Sequence, residues 1–190
     1  MNITLFGGSF NPPHLGHQIV INQAFELIPK IDELWLLPDY KHAFEKRKFF
    51  IDSKHRLTMT KMLENHKVKT NTCTFDNKMP GNTIFHITYL KEKYPQHQFS
   101  FLIGSDNLST FHKWPKYQTL LKIMPFYIYP RSDYPFKPLY PNMHPLKHPL
   151  QIITNISSTV IRNRINKNLS TNHLLPEKIA KYIKKNQLYD

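Results

Sequence analysis

Residues 2–17 read Asn2-Ile3-Thr4-Leu5-Phe6-Gly7-Gly8-Ser9-Phe10-Asn11-Pro12-Pro13-His14-Leu15-Gly16-His17, and the rest of the chain repeats the alternation they begin. Asn2–Phe6 is an apolar run of strand length, stopped by Gly7-Gly8. Gln18–Ile28 then sets Val20, Ala24, Leu27 and Ile28 at helical spacing. Further strands are expected at Leu34–Leu37, Val68–Phe75, Phe99–Ile103, Phe126–Tyr129 and Leu150–Ile153. Helices are expected over Lys54–Asn65, from Thr83 to Tyr94, over Ser157–Lys167 and over Pro176–Lys185. Short apolar runs separated by helical patterns predict an α/β fold, a doubly wound parallel sheet with helices on both faces. Such sheets bind ligands at the carboxyl ends of their strands, where the strand order switches.

The chain has 190 residues, the size of one domain, and 40% of them are hydrophobic. A single domain over residues 1–190 is therefore expected, closed by C-terminal helices in 157–190. Ser132–Pro149 carries five prolines in 18 residues and reads as a long irregular loop or lid. No apolar run approaches the ~20 residues of a membrane-spanning helix. No signal peptide is expected, because no basic region precedes an apolar stretch at the N-terminus. The single cysteine, Cys73, fits a reducing cytoplasm. Lys and Arg number 26 against 13 Asp and Glu, a net charge of +13. That charge suits phosphate-bearing ligands or nucleic acid, but AT-rich coding would also enrich lysine. The five glycines discriminate better: Gly7, Gly8, Gly16, Gly81 and Gly104 all fall on or near the ligand-binding edge.

Two imidazoles three residues apart, His14 and His17, flank the start of a helix whose N-terminal amides favour an anion. Each can donate a hydrogen bond to a phosphate oxygen. A zinc site would require more ligands, and no cysteine or acidic residue sits beside them. Near the other end, Ile156-Ser157-Ser158-Thr159-Val160-Ile161-Arg162 combines hydroxyls and helix-start amides with an arginine one turn later. Such a sequence can be an ordinary N-cap or an anion cradle.

Together the two stretches resemble the nucleotidyltransferase superfamily with the HxGH signature, whose patterns are Gly-x-Phe-x-Pro-x-His-x-Gly-His and Ile-Ser-Ser-Thr-x-x-Arg. Over nearly its whole length the chain is similar to nicotinate or nicotinamide mononucleotide adenylyltransferases. Asp32–Pro38 looks like their second strand, Gly81-Asn82-Thr83 like their nicotinyl contact, and Gly104-Ser105-Asp106 with Trp114 like their Gly-x-Asp and Trp. The resemblance implies a Rossmann-like domain that transfers AMP from ATP to nicotinate mononucleotide, with Mg2+ accompanying the ATP and both nucleotides as partners. It places Gly7, Gly8, Ser9, Phe10, His14, His17, Ser157, Ser158, Thr159 and Arg162 around ATP, with His14, His17 and Arg162 catalytic. Thr83, Asp106, Trp114 and Lys46 would meet the mononucleotide, Asp106 at the ribose and Trp114 stacked on the pyridine ring. Arg56 is either a phosphate contact or a structural ion pair, the structural reading being favoured. One departure is Lys41-His42-Ala43-Phe44-Glu45-Lys46, where many members have Pro-Pro-His-Lys. Other readings are a superfamily member acting on nicotinamide mononucleotide, on phosphopantetheine or with a cytidylyl donor. A basic nucleic-acid-binding protein on the same scaffold is a further alternative, argued against by the intact His14, His17 and Arg162. A homo-oligomer is compatible with the sequence.

Overall fold

The computed structural model describes residues 1–40 and 51–189. Strand β1 (Asn2–Gly8) lies between β2 (Glu33–Pro38) and β4 (Gln98–Gly104), all parallel. Beyond β2 lies β3 (Val68–Thr70), and beyond β4 lie β5 (Phe126–Tyr129) and β6 (Met143–Pro145). The order β3-β2-β1-β4-β5-β6 is the doubly wound, Rossmann-like arrangement, with its switch point between β1 and β4. No helix of the described residues is long and apolar enough to cross a membrane.

Alternate residues of each strand feed different helical layers, as the two-residue period of a strand requires. Ile3, Leu5, Trp35, Leu37, Phe101 and Ile103 pack under α4 (Thr83–Lys93) and α5 (Tyr117–Ile123). Leu34, Leu36, Val68 and Leu102 pack on the other face with α1 (Leu15–Leu27) and α2 (Ser53–Lys61). That second layer also includes α6 (Ser158–Asn166) and α7 (Glu177–Lys185), through Ile161, Ile179 and Ile183.

Three expectations are corrected. The predicted strand Val68–Phe75 stops at Thr70, where the Asn71 side chain accepts from the Cys73 amide and turns the chain into α3 (Cys73–Asp76). Leu150–Ile153 is not a strand, because side chains rather than a neighbouring strand take the Ile152 backbone: Gln23 binds both its amide and its carbonyl. The sixth strand instead lies inside the proline-rich segment 132–149, so that segment is not wholly irregular. Pro145 is tolerated there because β6 is an edge strand and needs no hydrogen-bond donor on its open side.

Candidate active site

A cleft of about 530 Å³ opens at the carboxyl ends of β1, β2 and β4. All five glycines border it, together with Ser9, Phe10, His17, Thr83, Asp106, Trp114 and Ser158. Three of the glycines are there for lack of space, since none of the chain's glycines adopts a positive φ and a Cβ on Gly7 would sit 2.8 Å from the Phe101 ring. A Cβ on Gly16 would sit 2.9 Å from His14 Nδ1 and 3.2 Å from the Ile156 carbonyl. A Cβ on Gly104 would collide with the Asp106 carboxylate and press on the Arg131 stem.

The Ser9–Pro13 turn is braced from behind. Phe10 takes φ 46° with its ring buried, 5.0 Å from the His17 ring and 5.9 Å from Phe6. Arg56, fully buried, donates to the carbonyls of Ser9, Asp39 and Tyr40, so its role is structural, as the sequence suggests. Ser158 Oγ donates to the Pro12 carbonyl, and Arg162 Nη1 donates to the Asn11 carbonyl at 2.7 Å. The Leu15 amide is spent on the Leu174 carbonyl. The two motifs, some 140 residues apart, thus hydrogen-bond to each other directly.

The His14 and His17 rings are in close contact, tilted by 38° with centroids 3.7 Å apart. The His14 amide donates to His17 Nδ1 at 3.1 Å, so the proton of a neutral His17 sits on Nε2. Burial first, then the charge of Arg131, pushes His14 down to about 3. Burial, then His14 and Arg131, holds His17 well below the ordinary imidazole range. Both rings are therefore neutral near pH 7, and His17 can offer a neutral donor to the cleft. His14 is buried beneath the cleft wall, whereas Ser157 and Arg162 are partly buried and Thr159 is exposed, and none of the four borders the opening. Ser157 caps α6 by accepting from the Val160 amide, and Thr159 Oγ1 accepts from Arg162 Nη2.

Asp106 lies in the first turn of the 3₁₀ helix Ser105–Lys113, its Oδ1 3.9 Å from Arg131 Nε. Trp114 closes that helix, half-buried, 5.0 Å from the Phe111 ring. Thr83 opens α4. Lys46 and His42 lie outside the described residues. Residues that sequence reading missed are Arg131, Lys113, His86, Tyr129 and Asp39, all bordering the cleft. Arg131 and Asp39 each follow the end of a strand by one or two positions, which is the signal that could have found them. His86 is buried one turn beyond Thr83, bonded through Nε2 to the Pro80 carbonyl.

Burial pushes the Asp39 carboxyl up to about 7, against the pull of Arg56. The stability consequences oppose one another. A histidine held low in the folded state costs stability as pH falls below the unfolded value near 6.5. A carboxyl held high gains stability as pH falls from about 7 towards its unfolded value. Two such histidines outweigh one carboxyl, so Tm is expected to fall between pH 6.5 and 4 in thermal denaturation. Asp39→Asn removes the opposing contribution and is expected to steepen that fall, and an unchanged slope would contradict the assignment.

A parallel sheet with a phosphate-suited cleft at its switch point defines a nucleotide-handling α/β protein. A family model described as cytidylyltransferase-like matches residues 5–164. The probable nicotinate-nucleotide adenylyltransferase of Flavobacterium johnsoniae is 36% identical over 195 residues, covering all of this chain and 99% of its own length. The nicotinate-nucleotide adenylyltransferase of Bacillus subtilis is 30% identical, covering 99% of this chain and 98% of its own. Plasmodium falciparum nicotinic acid mononucleotide adenylyltransferase, solved in complex with NaAD, has the same fold, with a TM-score of 0.80 at 21% identity over 100% of this chain and 97% of that one. The chain belongs to the cytidylyltransferase-like nucleotidyltransferases and, within them, to the nicotinate-nucleotide adenylyltransferase family.

Proposed function

We propose that the chain transfers the adenylyl group of ATP to nicotinate mononucleotide, giving deamido-NAD and pyrophosphate. The observation that carries this reading is the full-length identity with curated nicotinate-nucleotide adenylyltransferases, joined to a cleft bordered by both halves of the motif system. A 5′-phosphate oxygen of the mononucleotide bonds to the α-phosphorus of ATP, and the bond to the bridging oxygen breaks, releasing pyrophosphate. No protein nucleophile is required, so catalysis is positioning plus stabilisation of phosphate charge.

In this reading the Nε2–H of His17 donates to a triphosphate oxygen, with the Gly8 and Ser9 amides nearby. Arg131 supplies positive charge, and Arg162 reaches in from behind the Asn11 turn. His14 orients His17 from below through its own amide. Asp106 accepts from a ribose hydroxyl, Trp114 stacks on the pyridine ring, and Thr83 lies beside it.

The cleft's carboxylates are Asp39 and Asp106, and the described residues contain no group of three His, Cys, Asp or Glu that could hold an ion. That donor set suits magnesium arriving with ATP, bound mainly by phosphate oxygens and water. It would neutralise phosphate charge. The buried, lone Cys73 supports a cytoplasmic location.

The direct test supplies purified protein with ATP, magnesium and either nicotinate or nicotinamide mononucleotide, and follows pyrophosphate. Release with nicotinate mononucleotide is expected, at a kcat/KM at least about tenfold above the amide. Equal rates would remove the acid preference, and no release with either would sink the reading.

A further inference from the structure

The chain beyond α7 is built to deliver one side chain into the active-site turn. The helix ends with the Gln187 amide on the Lys184 carbonyl and the Leu188 amide on the Ile183 carbonyl, the paired bonds of a Schellman turn. Gln187 takes φ 49° at the position that usually falls to glycine. Leu188 is buried beside Ile179 and Ile183 and anchors the turn. Tyr189 follows at φ 72°, an uncommon conformation for a non-glycine residue, and its ring enters the molecule rather than solvent. Its hydroxyl donates to Asn11 Oδ1 at 2.8 Å. Asn11 is buried, and its carbonyl is the acceptor of Arg162 Nη1.

We propose that Tyr189 is a positioning residue for the transfer reaction, holding Asn11 so that the Ser9–Pro13 turn and the Arg162 guanidinium keep one geometry. The proposal rests on the functional reading above. The phenol lies in the fields of Arg162 and Arg56, and burial keeps it protonated, so it stays a donor throughout the working pH range. Two left-handed residues with only Leu188 between them are costly. The ring they place packs on the core edge, and its hydroxyl reaches the signature turn.

Tyr189→Phe deletes one hydroxyl and leaves the ring to pack. The expected result is a fall in kcat of roughly tenfold, since small misplacements far from the reacting atoms can cost up to about 10²-fold. KM for both nucleotides should stay within about twofold, and amides of residues 9–17 should exchange with deuterium faster than in the wild type. Tyr182→Phe is the control: it removes a neighbouring hydroxyl on α7 that bonds to His55, and should leave kcat and that exchange unchanged. An unchanged kcat for Tyr189→Phe overturns the proposal, as does an equal loss in both variants. If wild-type protein releases no pyrophosphate, the functional reading fails, and exchange in residues 9–17 alone decides the coupling: faster exchange supports it and unchanged exchange overturns it.

Discussion

His17→Ala is expected to lower turnover by roughly 10²–10³-fold, the usual cost of deleting one preorganised donor at developing phosphate charge. The size follows from how fixed the ring is. Its Nδ1 is occupied by the His14 amide, its face by the His14 ring and its other side by Phe10, leaving Nε2 to meet a ligand. A donor held this way needs no reorganisation when charge shifts from the α-phosphate to the leaving pyrophosphate. The loss should appear in kcat, with KM for ATP moving far less, because the interaction strengthens along the reaction. His17→Gln keeps a donor but not the ring contacts with His14 and Phe10, and should recover only part of the loss. Because His17 is held neutral by burial, then by His14 and Arg131, turnover under the proposed role should not fall as pH rises from 6.5 to 8 through loss of an imidazolium. A kcat near wild type in His17→Ala, measured by pyrophosphate release, would remove His17 from the mechanism.

The elements that carry this site were legible in sequence for definite physical reasons. Gly7, Gly8, Gly16, Gly81 and Gly104 all border the cleft, in a chain that has no other glycine. Gly7, Gly16 and Gly104 answer to crowding by neighbours, while left-handed backbone is adopted by non-glycine residues such as Phe10 and Gln187. Of the six strands among the described residues, β1, β2, β4 and β5 were visible because buried parallel strands read as continuous apolar runs. β3 was found only as the start of a longer strand-like stretch. Met143–Pro145 was not visible, since an edge strand of three residues with a proline gives no such run. Leu150–Ile153 looked like a strand because its residues favour one. What captures its backbone is Gln23, 129 positions earlier, and no local pattern reports such a partner. Arg131 and Asp39 were missed for a related reason, since their value comes from the strand ends they follow.

Arg162→Ala is expected to cost turnover roughly 10²-fold or more, the scale of a lost charged donor at a transferring phosphate. Two losses combine in it. The Asn11 carbonyl loses its charged donor and the turn carrying Ser9 and Phe10 loosens. The fork itself also goes: Nη1 and Nη2 are held by Asn11 and Thr159, fixing the plane of the guanidinium, while the buried Nε has no partner among the described residues. Arg162→Lys separates these losses. It restores a positive charge, yet an ammonium cannot hold Asn11 and Thr159 in one plane while also addressing a phosphate. The lysine variant is therefore expected to regain no more than about tenfold over alanine. Tm should fall in both by a few degrees, as loss of one partly buried hydrogen bond of about 1–3 kcal/mol implies for a chain of this length. A lysine variant with wild-type kcat would mean that charge alone matters, and that the bond from α6 to the signature turn is incidental to catalysis.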